Sequence, residues 1–382
     1  MRILMVVRPA AGGMREHLLA LSGGLTANGH EVEVAAPAES DVAIAARDAG
    51  FPVHEIPLVG PLHPLYDPRA IVALQRVVRE GRFDLVHAHG FKAGFIGRLG
   101  AMLGGAKVVV VTAHNHVLSR TDTPASARNR YRNVERSLAG LVSRYIAVSD
   151  SIRLELVDGY GLPPGRVITV HNGVEPAPYL APQDCEAARA EFGLSADATV
   201  VGLAARFSTQ KGLCHLVDAV PLLRAEIPGI IVVIGGAGPL ESELRERAVA
   251  LEVSGSIRWP GFVEDIPRFL STLDVYVSPA ETEALGIALI EAGLAEIPTV
   301  ATRVGGVPEV VLDGETGVLV PAGDPAALAT AMLGLLREPE RARALARAAR
   351  ERCLREFAPQ RMIERTLVVY ADALAAAKKD RA

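Results

Sequence analysis

Two glutamates flank a short apolar run, Glu283 and Glu291, within Ser278-Pro279-Ala280-Glu281-Thr282-Glu283-Ala284-Leu285-Gly286-Ile287-Ala288-Leu289-Ile290-Glu291-Ala292. Gly286 opens a segment in which Ile287, Ile290 and Leu294 fall on one helical stripe. Glu291 sits at the edge of that stripe, where a carboxylate is costly unless something binds it. Glu283 lies in the loop before the helix, near the positive end of its dipole. A strand, a tight loop, a glycine at a helix start and two carboxylates make a cradle for a phosphorylated polyhydroxy ligand. The same residues also suit a dipole-favoured acid and a solvated helix glutamate, and on this stretch alone that plainer reading is the commoner one.

Arg206 and Lys211 follow an apolar strand at 199–204. Two cations at the carboxyl end of a strand match a diphosphate, whose oxygens an arginine can hold bidentately. Surface charges beside a turn are the alternative. Strand-like runs at 84–88 and 107–112 end in His87-Ala88-His89 and His114-Asn115-His116. A histidine facing a cleft there can donate to a substrate hydroxyl or to developing charge. Polar plugs bonded to neighbouring carbonyls are the other reading. No carboxylate or cysteine stands at ligand spacing with these histidines, so no metal is expected. Arg120, Arg128, Arg130, Arg132, Arg136 and Arg144 make the most basic stretch. Arg128, Arg132 and Arg136 share one helix face, opposite Tyr131, Val134, Leu138 and Leu141. That face is either solvated or an electrostatic seat for an acidic lipid or diphosphate carrier.

These residues need a scaffold, and the chain alternates strand and helix throughout. Residues 2–7 read as a buried strand, Gly12-Gly13 as its exit turn, 13–28 as a helix and 31–35 as the next strand. The glycines would let backbone approach a phosphate or sugar, although the third glycine of a dinucleotide fingerprint is missing and a plain tight turn serves equally. Further strands are expected at 53–56, 145–148 and 167–170. A Pro-rich linker follows, with Pro176, Pro178 and Pro182. Alternation then restarts, with strands at 199–204, 230–234, 257–260, 273–277, 299–302 and 317–320, helices across 325–355, and a last helix at 359–377. Gly235-Gly236-Ala237-Gly238-Pro239 fails the dinucleotide pattern because Pro239 stands where the helix should open. The fold class is therefore α/β, with two Rossmann-like doubly wound domains facing across a cleft, the default active site.

The bulk numbers agree with a soluble enzyme and exclude several other classes. The chain has 382 residues and a net charge of −4, with only 4% aromatics, which disfavours nucleic-acid binding. Residues 1–173 carry 19 Lys+Arg against 15 Asp+Glu, and the remainder 21 against 29. The first half is thus the side that would meet an anion. Cys185, Cys214 and Cys353 are scattered and odd in number, which fits a reducing compartment. The first residues are too short a run for a signal-peptide core, and no apolar run reaches membrane length. The expected location is cytoplasmic, with any membrane contact peripheral.

In its motifs the chain resembles the retaining glycosyltransferases of family 4, which have the GT-B fold. The resemblance rests on Gly12-Gly13 through His17, Leu21 and Gly29-His30-Glu31-Val32; on His171-Asn172-Gly173-Val174; on Arg206 with Lys211-Gly212; on Glu283 and Glu291 with seven residues between; and on Val304-Gly305-Gly306-Val307-Pro308-Glu309. It implies an acceptor-binding domain at 1–174, a nucleotide-sugar donor domain at 175–357 and a C-terminal helix at 358–382 crossing back to the first. It implies that Glu291 holds the donor ribose, Glu283 the donor sugar's hydroxyls, and Leu285, Gly286 and Ile287 bring main chain to the donor. Arg206 and Lys211 would stabilise the leaving diphosphate, Phe262-Val263 would meet the base, Gly12-Gly13 would close on the phosphates, and His114 would contact the sugar near its reacting carbon. No DxD triplet occurs, so no metal and no cofactor are expected.

The activity implied is a hexosyl transfer from a nucleotide-sugar, with a UDP-sugar favoured, to a lipid-linked or saccharide acceptor in envelope polysaccharide or glycolipid synthesis. Peripheral contact with anionic membrane would run through Arg128, Arg132 and Arg136. A sugar-nucleotide 2-epimerase and a non-catalytic nucleotide-sugar-binding partner are the rival readings. Two departures from the family pattern stand out: Leu285, where Phe is frequent, and Glu296, where a small residue, often glycine, is usual.

Overall fold

The computed structural model describes residues 1–9, 12–58, 60, 63, 66–118 and 124–379, so Arg120 lies outside the described residues. By contacts the chain divides into two units, one of residues 1–119, 123–173 and 359–382, the other of 120–122 and 174–358.

The first unit is built on a seven-stranded sheet: β1 (Arg2–Val7), β2 (Glu31–Ala36), β3 (Val53–Glu55), β4 (Leu85–His89), β5 (Val109–Ala113), β6 (Arg144–Ala147) and β7 (Val167–Thr169). The order is β3-β2-β1-β4-β5-β6-β7, and every pairing is parallel. Parallel strands are covered on both faces, which is why β1 is a continuous apolar run with Ile3 to Val7 fully buried. Strand order reverses between β1 and β4, so the loops leaving them diverge and open a crevice at their carboxyl ends. Gly12, His89 and His114 all stand at that end.

The helix Pro359–Lys379 belongs to this unit. Its Met362, Ile363, Val369, Tyr370 and Ala373 share a core with Leu18, Leu21 and Leu25 of the helix Gly13–Ala27. Each buried Leu, Ile, Val or Met among them contributes on the order of 1.5–3 kcal/mol. The two helices meet closely at Gly24, where a Cβ would lie 2.0 Å from Ile363 Cδ1.

The second unit holds β8 (Val200–Ala204), β9 (Ile231–Gly235), β10 (Ile257–Arg258), β11 (Val275–Ser278), β12 (Thr299–Thr302) and β13 (Val318–Val320). Their order is β10-β9-β8-β11-β12-β13, again all parallel. The reversal here falls between β8 and β11, the strands that precede Arg206 and Glu283. The Pro-rich segment after Gly173 carries a helical turn, Ala177–Leu180. Glu296 takes a left-handed conformation, φ 60°, just after the helix Ile287–Leu294, and pairs with Arg350 at 2.6 Å. Glycine fills that conformation without steric cost, which accounts for the glycine usual at this position; the ion pair with Arg350 is what the glutamate adds.

Candidate functional site

In the second unit the turn after β8 and the loop after β11 are zipped together. The amides of Glu281 and Thr282 both donate to Gln210 O, at 2.9 and 3.3 Å. Gly212 has φ 59°, and a Cβ there would lie 2.0 Å from Pro279 O. Any side chain at 212 would therefore push the two loops apart. Across this seam Lys211 Nζ reaches Glu283 Oε2 at 2.6 Å, with 32% and 17% of the side chains exposed. His215 pairs with Glu281 beside it. Arg206 is exposed and has no partner among the described residues.

Glu283 is held further by its backbone. Its carbonyl accepts from Gly306 N at 3.1 Å, and a Cβ on Gly306 would lie 2.2 Å from Ala284 O. This close approach gives the Gly305-Gly306 turn its role. Leu285 is buried, and Gly286, at φ 96°, starts the helix Ile287–Leu294 without a capping side chain, so its first-turn amides can face a ligand. Glu291 and Glu283 both lie near the buried Tyr276, whose phenol is pushed up first by burial and then by those two carboxylates. The structure thus brings together Lys211, Glu283 and Glu291 around one helix start.

The loops after β9 and β10 stack on this floor. Gly236 N donates to Gly261 O at 2.6 Å and Phe207 N to Ala237 O at 2.9 Å. Phe262 projects from the β10 loop with 82% of its surface exposed, while Val263 is buried. A groove of about 560 Å³ beside them is lined by Glu191, Glu264, Asp265 and Arg268 among others. Its excess of carboxylates does not suit a phosphate.

In the first unit, Gly12 takes φ 58° and caps the helix Gly13–Ala27 without a side-chain bond, so the helix start is open to an anion. The histidines sort differently from the sequence reading. His116 leaves the group: its Nδ1 meets Glu155 Oε2 at 2.9 Å and its Nε2 meets Ser151 Oγ at 3.2 Å. His17, from the helix, takes its place against His114, with ring centroids 4.8 Å apart. His89 Nδ1 meets His114 Nε2 at 3.1 Å. His87 fits the plug reading, bonded at both nitrogens to Tyr370 Oη (2.7 Å) and Thr112 Oγ1 (2.6 Å). Burial lowers His17 to about 4 and His87 to about 3. It also holds His89 and His114 well below the usual imidazole range, with the neighbouring imidazoles adding to the effect and Arg8 adding at His114. All four are neutral near pH 7 and can donate or accept but carry no charge.

The basic helix Ala125–Leu138 also differs from expectation. Glu135 is its buried residue, 5% exposed. It lies on the helical stripe of Arg128 and Arg132, seven and three residues back, so that stripe turns inward and both arginines are half-buried. Arg136 Nε donates to Tyr160 O at 2.6 Å. The three arginines are therefore not a free face. Glu135 instead meets Arg98 of the helix Phe91–Gly104, a buried pair at 2.9 Å and 3.0 Å. Sequence reading passed over this pair and the buried Lys92–Asp67 pair at 2.8 Å, and it named His17 as part of the opening motif without joining it to the other histidines, because their partners are distant in sequence.

Two family descriptions match the chain: Glycosyltransferase Family 4 over residues 11–177 and Glycosyl transferases group 1 over 184–352. The chain is 33% identical over 305 residues to an alpha-maltose-1-phosphate synthase of Mycolicibacterium smegmatis, covering 75% of this chain and 78% of that protein. It is 31% identical over 361 residues to the GDP-mannose-dependent alpha-(1-6)-phosphatidylinositol monomannoside mannosyltransferase of the same organism, covering 90% of each. Among solved structures, Anabaena HepE in complex with UDP and glucose superposes with a TM-score of 0.84 at 21% identity, covering 97% of this chain and 99% of HepE.

Proposed function

We propose that this chain, which belongs to the GT-B glycosyltransferases, takes a hexose from a nucleotide-sugar, with a UDP-sugar favoured, and passes it with retention to a lipid-linked or saccharide acceptor in envelope polysaccharide or glycolipid synthesis. The carrying observation is the Lys211–Glu283 pair at 2.6 Å beside the unpartnered Arg206. Two cations near one carboxylate suit a leaving diphosphate and the hydroxyls of the sugar it carried. The HepE complex with UDP and glucose supports a UDP-sugar, while the GDP-mannose-dependent relative keeps GDP among the donors to be tried. Family membership leaves the 2-epimerase and non-catalytic readings without a supporting observation.

In this reading Glu291 holds the ribose and Glu283 the sugar hydroxyls. The main chain of Leu285, Gly286 and Ile287 approaches the donor, and Phe262-Val263 meets the base. Gly12 and Gly13 serve the phosphates, and His114 contacts the sugar near its reacting carbon. As the glycosidic bond breaks, Arg206 and Lys211 stabilise the charge appearing on the diphosphate, which therefore needs no metal. The acceptor oxygen bonds the anomeric carbon on the face the phosphate leaves, and the departing phosphate oxygen takes its proton. No protein base is required, unlike the paired carboxylates of glycosidases.

A thermal-shift panel of UDP, GDP and ADP sugars without metal tests the donor half. One base class at a hundred times its dissociation constant is expected to stabilise wild type by about 2.7 kcal/mol and Lys211→Ala much less. If no nucleotide shifts the wild type, the donor assignment falls.

The acceptor half predicts contact with anionic membrane through the first unit, whose residues 1–173 carry 19 Lys+Arg against 15 Asp+Glu; with Arg128 and Arg132 half-buried and Arg136 bonded to Tyr160 O, the face those three share is not what carries it. No described helix is long and apolar enough to cross a membrane, so any contact would be peripheral. Sedimentation with anionic vesicles at low salt should carry the protein down, and moderate salt should release it. Failure to sediment at low salt would remove the membrane contact and leave a soluble saccharide as acceptor.

A further inference from the structure

We propose that His89 is a positioning residue for His114. It holds Nε2 of that ring, fixes its tautomer and leaves Nδ1–H as the group offered to the donor sugar. The sugar contact is the one proposed above for His114, on which this rests; what is added is the atom that makes it and the side chain that aims it. His89 is the last residue of β4 and His114 the first after β5. The two strands run side by side, with His89 opposite Thr112.

His89 Nδ1 and His114 Nε2 stand 3.1 Å apart. Both rings are neutral, since burial first and the neighbouring imidazoles next hold them well below the usual range. Each therefore carries one N–H and one lone pair. In the bond between them one nitrogen donates and the other accepts. If His89 Nδ1 donates, His114 has its hydrogen on Nδ1. If His114 Nε2 donates, His89 has its hydrogen on Nε2. The two tautomers are tied: both rings are Nδ1–H, or both are Nε2–H.

His89 Nε2 decides between them. It is buried without a hydrogen-bond partner among the described residues. His87, 4.2 Å away centroid to centroid, offers it none, because its own nitrogens are taken by Tyr370 and Thr112. The Nε2–H pair would strand a buried donor there, and the Nδ1–H pair strands only a lone pair. A stranded N–H is the rarer orphan in folded proteins, so both rings carry hydrogen on Nδ1. With Nε2 engaged, Nδ1–H is what His114 has left for a ligand, and 7% of the residue stays exposed. His17 backs the same ring edge-on, with centroids 4.8 Å apart. His114 thus presents a donor to a hydroxyl oxygen of the sugar, aimed before the sugar arrives.

Long-range ¹H–¹⁵N correlation spectra of the labelled full chain, without ligand and near neutral pH, read the tautomer of each histidine. His89→Asn and His114→Asn identify the two rings by the signals they remove. Both rings protonated at Nδ1 is the expected result. Both at Nε2, or one of each, overturns the proposal, whatever the protein binds. Affinity for UDP-glucose and for UDP then tests the positioning. His89→Leu should weaken UDP-glucose by about tenfold, the size of one hydrogen bond, and leave UDP unchanged. His89→Asn, whose amide reaches the place of Nδ1, should recover part of that loss. No loss in His89→Leu, or an equal loss for UDP and UDP-glucose, overturns the positioning role. Should His89→Leu fail to fold by circular dichroism, the wild-type tautomers decide alone. Wild type that binds neither nucleotide removes the UDP-sugar donor proposed above, and the tautomers still decide the pairing of the rings.

Discussion

Glu135→Ala is expected to cost about 3–5 kcal/mol of stability, the range for removing one partner of a buried ion pair. Glu135 is 5% exposed and Arg98 1%. The guanidinium stays charged in any folded protein, so truncating the carboxylate leaves a buried cation facing a cavity. One further group would be stranded: Tyr145 Oη donates to Glu135 Oε1 at 2.8 Å. Arg98 Nε is already engaged with Gly94 O at 2.8 Å and offers it no replacement. Removing both charges together should be milder: Arg98→Met with Glu135→Leu is expected to lose about 1–3 kcal/mol, because the desolvation cost of the pair goes with it and only the buried Tyr145 phenol is left without its acceptor. Urea unfolding of the three proteins checks this. A single-variant loss below about 1 kcal/mol would mean that water reaches the pair and that the helix Ala125–Leu138 is not anchored by it.

Glu135 also marks where sequence reading stops. The strands were legible because parallel strands, buried on both faces, read as unbroken apolar runs. Ile3–Val7 and Val200–Leu203 need no partner to be recognised. The turns were legible through Gly12-Gly13 and Lys211-Gly212, where a side chain would obstruct. Arg128, Arg132 and Arg136 do share a helical face, as their spacing implies. Its direction was misread because the helix buries a carboxylate rather than an apolar stripe, and the arginine that permits this lies 37 residues away. His87 and Tyr370 are 283 residues apart, and His17 meets His114 only because β1 and β5 both flank β4. Strand order is a long-range property that no local pattern states. The Glu283–Glu291 spacing was visible as a motif, but Lys211's hold on Glu283 depends on β8 and β11 being neighbours.

That hold underlies the other large effect. Lys211→Ala is expected to lower turnover by about 10²–10³-fold, as loss of a preorganised donor to developing charge does, with little change in folding stability. The two expectations separate because the pair is partly exposed, 32% and 17%, and such pairs contribute at most about 1 kcal/mol to folding. In the free protein Glu283 keeps Lys211 aimed at the seam between the loops after β8 and β11, so the ammonium is placed before the donor arrives. On the proposed donor chemistry, the charge on the leaving diphosphate would compete for a cation already in position. Arg206 cannot replace it, since it is exposed and unpartnered and must be ordered by the ligand. Lys211→Arg should recover part of the loss, because charge returns but the compact ammonium does not. Glu283→Gln should raise KM as well as lower kcat, because it frees Lys211 and weakens the contact with the sugar hydroxyls. Steady-state rates with whichever donor the thermal panel selects, alongside urea unfolding of each variant, would decide it. Turnover within threefold of wild type for Lys211→Ala would show that the leaving charge is met elsewhere, and Arg206 would then be the next residue to remove.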